Sequence, residues 1–260
     1  MKDWIEDRII LKVYRGSHAY GLNTENSDID VGGIYVPPIE DLIGLSQYNQ
    51  KNEHYTSDNY TYYPGYETTQ KRADVALFSI RKFVNLAIGC NPNIIETLYT
   101  SPDDIIYVNK FGKELIKNRD MFLSKKARFT FGQYTMSQIK AMDKSSKLIR
   151  NYTGKRQESI ANYGFDTKAA LHLIRLLRMA IEIAHGEGCK VRRTSDKKHL
   201  LNIKNGYYSL EQIKQEAGKI ILYLDEAYDE SSLPDKPDIE KIDKMLIDIT
   251  LEAGFDWAIS

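Results

Sequence analysis

Gly16-Ser17-His18-Ala19-Tyr20-Gly21, followed after a short polar gap by Ser27-Asp28-Ile29-Asp30-Val31, decides how this chain is read. Residues 9–14 (Ile-Ile-Leu-Lys-Val-Tyr) form a strand-like run that ends at Gly16. Residues 18–22 read as a short helical turn, and residues 23–27 carry turn chemistry. Residues 29–36 predict a second strand, stopped by Pro37-Pro38. Side chains alternate along a strand. Asp28 and Asp30 then point to one face, while Ile29 and Val31 enter the core.

Two carboxylates that close resist full ionisation unless a cation relieves them. A hard cation such as Mg²⁺ takes oxygen ligands and binds a few carboxylates together with substrate phosphates. Two such ions, about 3.5–4 Å apart, can clamp the attacking and leaving oxygens of a phosphoryl displacement. Gly16 lets backbone approach a ligand closely, and Ser17 adds a hydroxyl donor. The turn after the first strand would thus cradle phosphate beside a metal pair. Asp-x-Asp is also common in surface loops, so the pairing with Gly-Ser carries the reading. A third acid, Asp74, opens an apolar strand over 74–78; strand-start aspartates often only form turns, and Glu67 is its nearest rival.

Composition places few limits on this. The 260 residues suffice for one large or two small domains, with 42% hydrophobic and 28% charged residues and zero formal net charge. At this length about 70% of the unfolded surface can be buried. The distribution of charge is uneven. Residues 121–160 carry nine Lys or Arg against two acids, and residues 211–260 carry thirteen acids against five Lys. That asymmetry points to a polyanion partner. Cys90 and Cys189 supply neither a disulfide framework nor zinc spacing. Residues 1–8 are too polar for a signal peptide, and no apolar run approaches the ~20 residues of a membrane span. The expected setting is a reducing cytoplasm, with no membrane partner.

Residues 46–72 are polar and hold six tyrosines, as a surface hairpin or a long loop. Helices are expected over 79–88 and from 93 to 98. Beyond about 119 the pattern becomes helical, most clearly over 124–148 and 167–184, with further helices in 209–228 and 238–252. The second of these has Asp166 as N-cap and Gly186 and Gly188 beyond its end.

The Gly16-Ser17 and Asp28-x-Asp30 motifs, with a lone acid on a neighbouring strand, resemble the DNA polymerase β nucleotidyltransferase signature. The likeness extends to Gly32-Gly33-Ile34-Tyr35, Arg81-Lys82-Phe83, Asn91-Pro92-Asn93 with Glu96, residues 122–127, and Tyr163-Gly164-Phe165-Asp166-Thr167-Lys168 followed by residues 172–179. In these the chain resembles the bacterial and phage nucleotidyltransferases called YcgL-like, also described as the RNA-repair-pathway polymerase β family. The resemblance implies an α+β fold: a polymerase-β-like core with a mixed sheet over residues 1–118, then a helical domain over 119–260. It implies an NTP held at Gly16 and Ser17, and Mg²⁺ or Mn²⁺ on Asp28, Asp30 and Asp74, with Asp74 orienting or deprotonating the acceptor hydroxyl.

Without the family, Lys168, His172, Arg175, Arg178, Glu182 and His185 recur at helical spacing among apolar residues. Buried charge needs a partner, and a triphosphate or RNA backbone would supply one at Lys168, His172 and Arg175. A solvent-facing strip on an ordinary amphipathic helix is the plainer reading. Lys125, Lys126 and Arg128 lie in a basic segment interleaved with Phe129, Phe131, Tyr134 and Tyr152. This segment would track RNA while aromatics stack on bases, or it is a solvated helix with its aromatics in the core. The expected activity is metal-dependent nucleotide transfer from an NTP to an RNA 3′ end, in tRNA or at broken RNA. Alternatives are transfer to a protein hydroxyl, as in AMPylating antitoxins, and an RNA-binding module with a degenerate site.

Overall fold

A computed structural model describes residues 4–25, 27–43, 45, 50–55, 73–145 and 153–259. Tyr48, Tyr60, Tyr62, Tyr63, Tyr66, Glu67 and Tyr152 lie outside the described residues. The chain divides into one compact unit of residues 1–122 with 237–260, and a second of residues 123–236.

The first unit is built on five strands: β1 (Ile9–Arg15), β2 (Ile29–Tyr35), β3 (Gln50–Tyr55), β4 (Ala73–Ser79) and β5 (Ile105–Val108). Their order is β3-β4-β2-β1-β5. β2 and β4 run parallel, and every other neighbouring pair is antiparallel, so the sheet is mixed as expected. The helices of this unit are α1 (Trp4–Asp7), α2 (Gly16–Ala19), α3 (Ile39–Ile43), α4 (Ile80–Ile88), α5 (Pro92–Leu98) and α6 (Lys110–Lys117). Strand alternation divides the residues between faces. Tyr14, Ile29, Val31, Tyr35, Val75 and Leu77 form one buried cluster with Ile5 and Ile9.

Local chemistry sets the helix ends. Ser79 caps α4 by accepting the Lys82 N–H, and Asn91 caps α5, with Pro92 at its first position. Asn109 accepts from both Phe111 and Gly112 at the start of α6. Gly112 is fixed by packing: a Cβ there would lie 2.1 Å from the Ile10 carbonyl oxygen of β1.

The second unit holds α7 (Lys126–Ser145), α8 (Gly154–Tyr163), α9 (Thr167–Ala184), α10 (Lys197–Lys204) and α11 (Leu210–Glu230). Helices α7, α8, α10 and α11 all pack on α9. Thus α9 is buried nearly all round, with Leu173, Ile174, Leu177, Met179, Ala180 and Ile183 wholly enclosed. Ser209 and Gln212 form a reciprocal capping box at the start of α11.

The last helix, α12 (Ile239–Ile259), belongs to the first unit rather than to the helical domain in which residues 119–260 were expected. Trp257 accounts for this. Its ring packs against Phe111 of α6 at 6.1 Å between centroids, and the Arg8 guanidinium lies 5.0 Å over it. Lys110 adds ion pairs to Glu252 and Asp256 at 2.7 and 2.8 Å, although such exposed pairs stabilise little. Among the described residues no helix is long and apolar enough to cross a membrane.

Gly112→Ala is expected to destabilise the first unit by about 2–3 kcal/mol through overpacking against backbone. A lowered urea midpoint at unchanged slope would show it, whereas an unshifted midpoint would mean that α6 does not seat on β1 as described.

Candidate active site

The Gly-Ser turn stands where β1 ends. Tyr20 N–H donates to the Gly16 carbonyl at 3.1 Å, and Leu22 N–H to that of Ser17 at 2.9 Å, which closes the turn. Gly16 has φ +60°, a conformation that disfavours a side chain. A Cβ there would fall 2.3 Å from Asp30 Oδ2, so the glycine backbone lies directly against that carboxylate. The turn is anchored from behind by Tyr20, whose buried hydroxyl donates to Glu96 Oε2 of α5 at 2.7 Å.

The segment leading into β2 is held in a similar way. Thr24 N–H donates to Ser27 Oγ at 2.9 Å, and Ser27 N–H to the Thr24 carbonyl at 3.0 Å. Asp28 follows, exposed, one residue before the strand. In the parallel ladder Asp30 is paired in register with Asp74. Registered neighbours lie about 4.8 Å apart with side chains on one face, so two partly buried carboxylates stand side by side at the start of both strands.

Arg15, the last residue of β1, is in register with Asp30 on the other side. Its stem crosses Gly32, where a Cβ would meet Arg15 Cδ at 2.2 Å. This cation beside the acid pair was not singled out in the sequence. Its position immediately before Gly16-Ser17 was the available signal.

The structure therefore brings together Gly16, Asp30 and Asp74, with Ser17 in the same turn. It does not gather all three acids: among the described residues no three His, Cys, Asp or Glu side chains form a group that would hold a metal ion.

In the second unit the polar strip of α9 divides in two. Arg178 donates to Asp196 and Glu216, both at 2.8 Å. Arg193, 4% exposed, donates to Glu182 at 2.9 Å and through two nitrogens to Asp196. His199 approaches Glu216 at 3.0 Å. This half of the strip is matched by the protein's own acids.

Towards the start of α9, Lys168 is exposed and Arg175 is only 2% exposed. Arg175 Nη1 donates to Met179 Sδ at 3.0 Å, and Nη2 lies 3.4 Å from His172 Nδ1. Burial, then the charges of Arg175, Lys168 and Arg156, push His172 down to about 3, so its imidazole is neutral. Arg128 is likewise engaged within its unit, with Asp225 at 3.0 Å and Asp229 at 3.1 Å. Lys125 donates its backbone N–H to the Pro234 carbonyl, and the Lys125 and Lys126 side chains are partly buried. Part of the charge asymmetry is thus consumed inside the fold.

The family model for the RNA repair pathway DNA polymerase beta family matches residues 3–248. The chain belongs to that family. It is also similar to an uncharacterized 38.9 kDa protein in the nrdC-mobD intergenic region of Enterobacteria phage T4, at 31% identity over 101 residues. That match covers 38% of this chain and 28% of the phage protein, so the chain spans under a third of that relative. Among solved structures, a nucleotidyltransferase-like protein from Exiguobacterium sibiricum is similar over 85% of this chain and 69% of its own. At 10% identity and a TM-score of 0.29 that likeness is too loose to transfer residues.

The neutral His172 of this family member has a measurable consequence. Its folded value lies below the unfolded one, so below about pH 6.5 the unfolded chain takes up a proton that the folded chain refuses. Stability contributed by this group is present above pH 6.5 and is lost as pH falls towards about 3, at up to roughly 1.4 kcal/mol per pH unit. Urea midpoints at pH 7 and pH 5 should fall less for His172→Gln than for wild type; equal losses would mean that His172 is not shielded from protonation.

Proposed function

We propose that this chain transfers a nucleotidyl group from an NTP to the 3′ hydroxyl of an RNA, using divalent metal held by Asp30 and Asp74 with Asp28. The observation that carries this is the registered Asp30–Asp74 pair lying against the Gly16 turn. Carboxylate oxygens are the hard donors that Mg²⁺ and Mn²⁺ take, so the residues suit such an ion. Asp28, two positions before Asp30 and exposed, stands apart from that pair and would have to turn towards it to serve as a third ligand. When bound, the metal offsets charge developing on the phosphates and makes the acceptor hydroxyl more acidic.

The chain's own residues supply the rest. Gly16 lets the turn lie against the Asp30 carboxylate, and Ser17 in the same turn would donate to a phosphate. Arg15 adds positive charge next to the acid pair, where the departing pyrophosphate carries its own charge. Asp74 orients the 3′ hydroxyl and accepts its proton as the oxygen bonds to the α-phosphorus. The bond from that phosphorus to the β-phosphate bridging oxygen breaks, and pyrophosphate leaves. Lys168, exposed in the first turn of α9, carries a point charge of the kind that suits phosphate. Arg175, buried on the same helix, lies 3.4 Å from Nδ1 of the neutral His172.

Incubation with each of four labelled NTPs, total RNA and Mg²⁺ or Mn²⁺ should label RNA. Asp30→Asn and Asp74→Asn should each reduce this by about 10²-fold or more, with a thermal midpoint equal to or above that of wild type because repulsion within the pair is relieved. Label appearing on protein instead would move the acceptor, and no incorporation with either metal would end the proposal. Gly16→Ala should also lower incorporation, by about tenfold or more, because its Cβ displaces the Asp30 carboxylate. Full activity in that variant would show that the close approach is not required.

A further inference from the structure

Gly16 and Ser17 are carried by a single turn of helix. Helix α2 spans four residues, and no side-chain cap stands at its start. One turn of helix does not hold itself in water, so its placement is set by what it packs against. His18 and Ala19 are buried, and so is Tyr20, which closes the turn. The Gly21 N–H donates to the His18 carbonyl at 2.9 Å, and the chain leaves through Gly21 at φ +67°.

Tyr20 reaches a distant part of the chain. Its hydroxyl donates to Glu96 Oε2 at 2.7 Å, a buried bond between residues 76 positions apart. Glu96 lies within α5 among Ile94, Ile95, Thr97 and Leu98, all buried. Thr100 Oγ1 donates to the Glu96 carbonyl at 3.0 Å, and Thr97 Oγ1 to that of Asn93 at 3.0 Å, which pins the helix end beside this carboxylate. Helix α5 packs on α4, and α4 packs on β2 and β4. Ser79 is both the last residue of β4 and the N-cap of α4. The Tyr20–Glu96 bond thus ties the turn to the helices that continue from the strand carrying Asp74. Buried polar groups cost free energy when they lose their hydrogen bonds, so this pair favours one geometry.

We infer that Tyr20 and Glu96 are positioning residues for the triphosphate: their bond sets where Gly16 and Ser17 stand relative to the Asp30–Asp74 pair. The identity of the ligand rests on the nucleotidyl-transfer reading, whereas the brace itself does not. On one side of the turn, the β1–β2 ladder holds Arg15 in register with Asp30. On the other side, the Tyr20–Glu96 bond keeps the turn from drifting away. The tolerance is small, because a Cβ on Gly16 would already fall 2.3 Å from Asp30 Oδ2. A misplacement of about 1 Å is enough to weaken contacts to a bound group. Both side chains are buried behind the turn, so they act through Gly16 and Ser17. The turn would meet phosphates alike in the ground state and the transition state, and its displacement therefore raises KM while leaving kcat.

The test uses the full chain, with two readouts taken where each variant is fully folded. The first is backbone hydrogen exchange, which needs no substrate. In Tyr20→Phe the amides of residues 20–22 should exchange about tenfold faster or more, while those of β2 and β4 keep their wild-type rates. The second is nucleotide incorporation into RNA at varied NTP. Tyr20→Phe should raise the KM for NTP by about tenfold and change kcat by less than about twofold. Glu96→Leu, which removes the acceptor, should match Tyr20→Phe in both readouts, and the double variant should be no worse than either alone. Glu96→Gln keeps an acceptor oxygen and should recover most of the lost KM. Wild-type exchange at residues 20–22 in Tyr20→Phe would overturn the inference even if nucleotide transfer stands. So would a lowered thermal midpoint with an unchanged KM, which is the mark of a bond that only stabilises, or additive losses in the double variant. Faster exchange at the turn in a protein that incorporates no nucleotide would keep the brace and end the nucleotidyl-transfer reading.

Discussion

The parallel pairing of β2 with β4 is the constraint on which the candidate site depends. It sets Asp30 beside Asp74 with no help from loops. Like charges directly opposite on neighbouring strands are destabilising. At a spacing near 5 Å the repulsion is of the order of 1–3 kcal/mol, depending on how much water screens it. A slip of one residue in either strand would bury a carboxylate in the Val31–Val75–Leu77 cluster and expose an apolar side chain. The hydrophobic face therefore enforces the register, and the register enforces the acid pair. Gly16 and Gly32 complete the arrangement by omission: one leaves space for Asp30 and the other for the stem of Arg15.

The second unit handles charge differently. Arg193 is almost fully buried, and although burial alone would weaken its hold on the proton, hydrogen bonds to Asp196 and Glu182 keep it firmly charged. Burial raises Glu182 more than Arg193 lowers it. Asp196 is lowered, with Arg193 and Arg178 outweighing its burial. Networks this enclosed seldom stabilise more than apolar packing would, but removing one partner is costly because it strands the other charge. Their use here is to fix the loop carrying Arg193 and Asp196, and helix α11, against α9.

Much of this could be read from the chain. The Gly-Ser turn, the Asp-x-Asp strand and the apolar strand beginning at Asp74 each carry local signals, and α9 spans the 167–184 expected from its period and its Asp166 cap. Other elements were hidden for physical reasons. β5 is a four-residue edge strand with no fully buried side chain, so it has no clean alternation. β3 (Gln-Lys-Asn-Glu-His-Tyr) is polar throughout and is held as a strand by its ladder to β4. The return of α12 to the first unit depends on Trp257 meeting Phe111, a contact between residues far apart in sequence. Arg15 was equally invisible, because its meaning comes from the Asp30 register and not from its neighbours.

The α9 strip shows why spacing alone cannot assign function. Lys168, His172, Arg175, Arg178, Glu182 and His185 look uniform in sequence, yet the fold gives the two ends different surroundings. Near the C-terminal end, α11 and the segment before α10 deliver Glu216 and Asp196, and each cation meets an acid within 3 Å. Near the N-terminal end, α8 and the far end of α10 bring Lys155 and Lys204 into the surroundings of Lys168, and Asp166 pairs with Arg156 at 2.7 Å. Burial and then the charges of Arg175, Lys168 and Arg156 keep His172 neutral at this end, whereas the cations at the other end meet carboxylates directly.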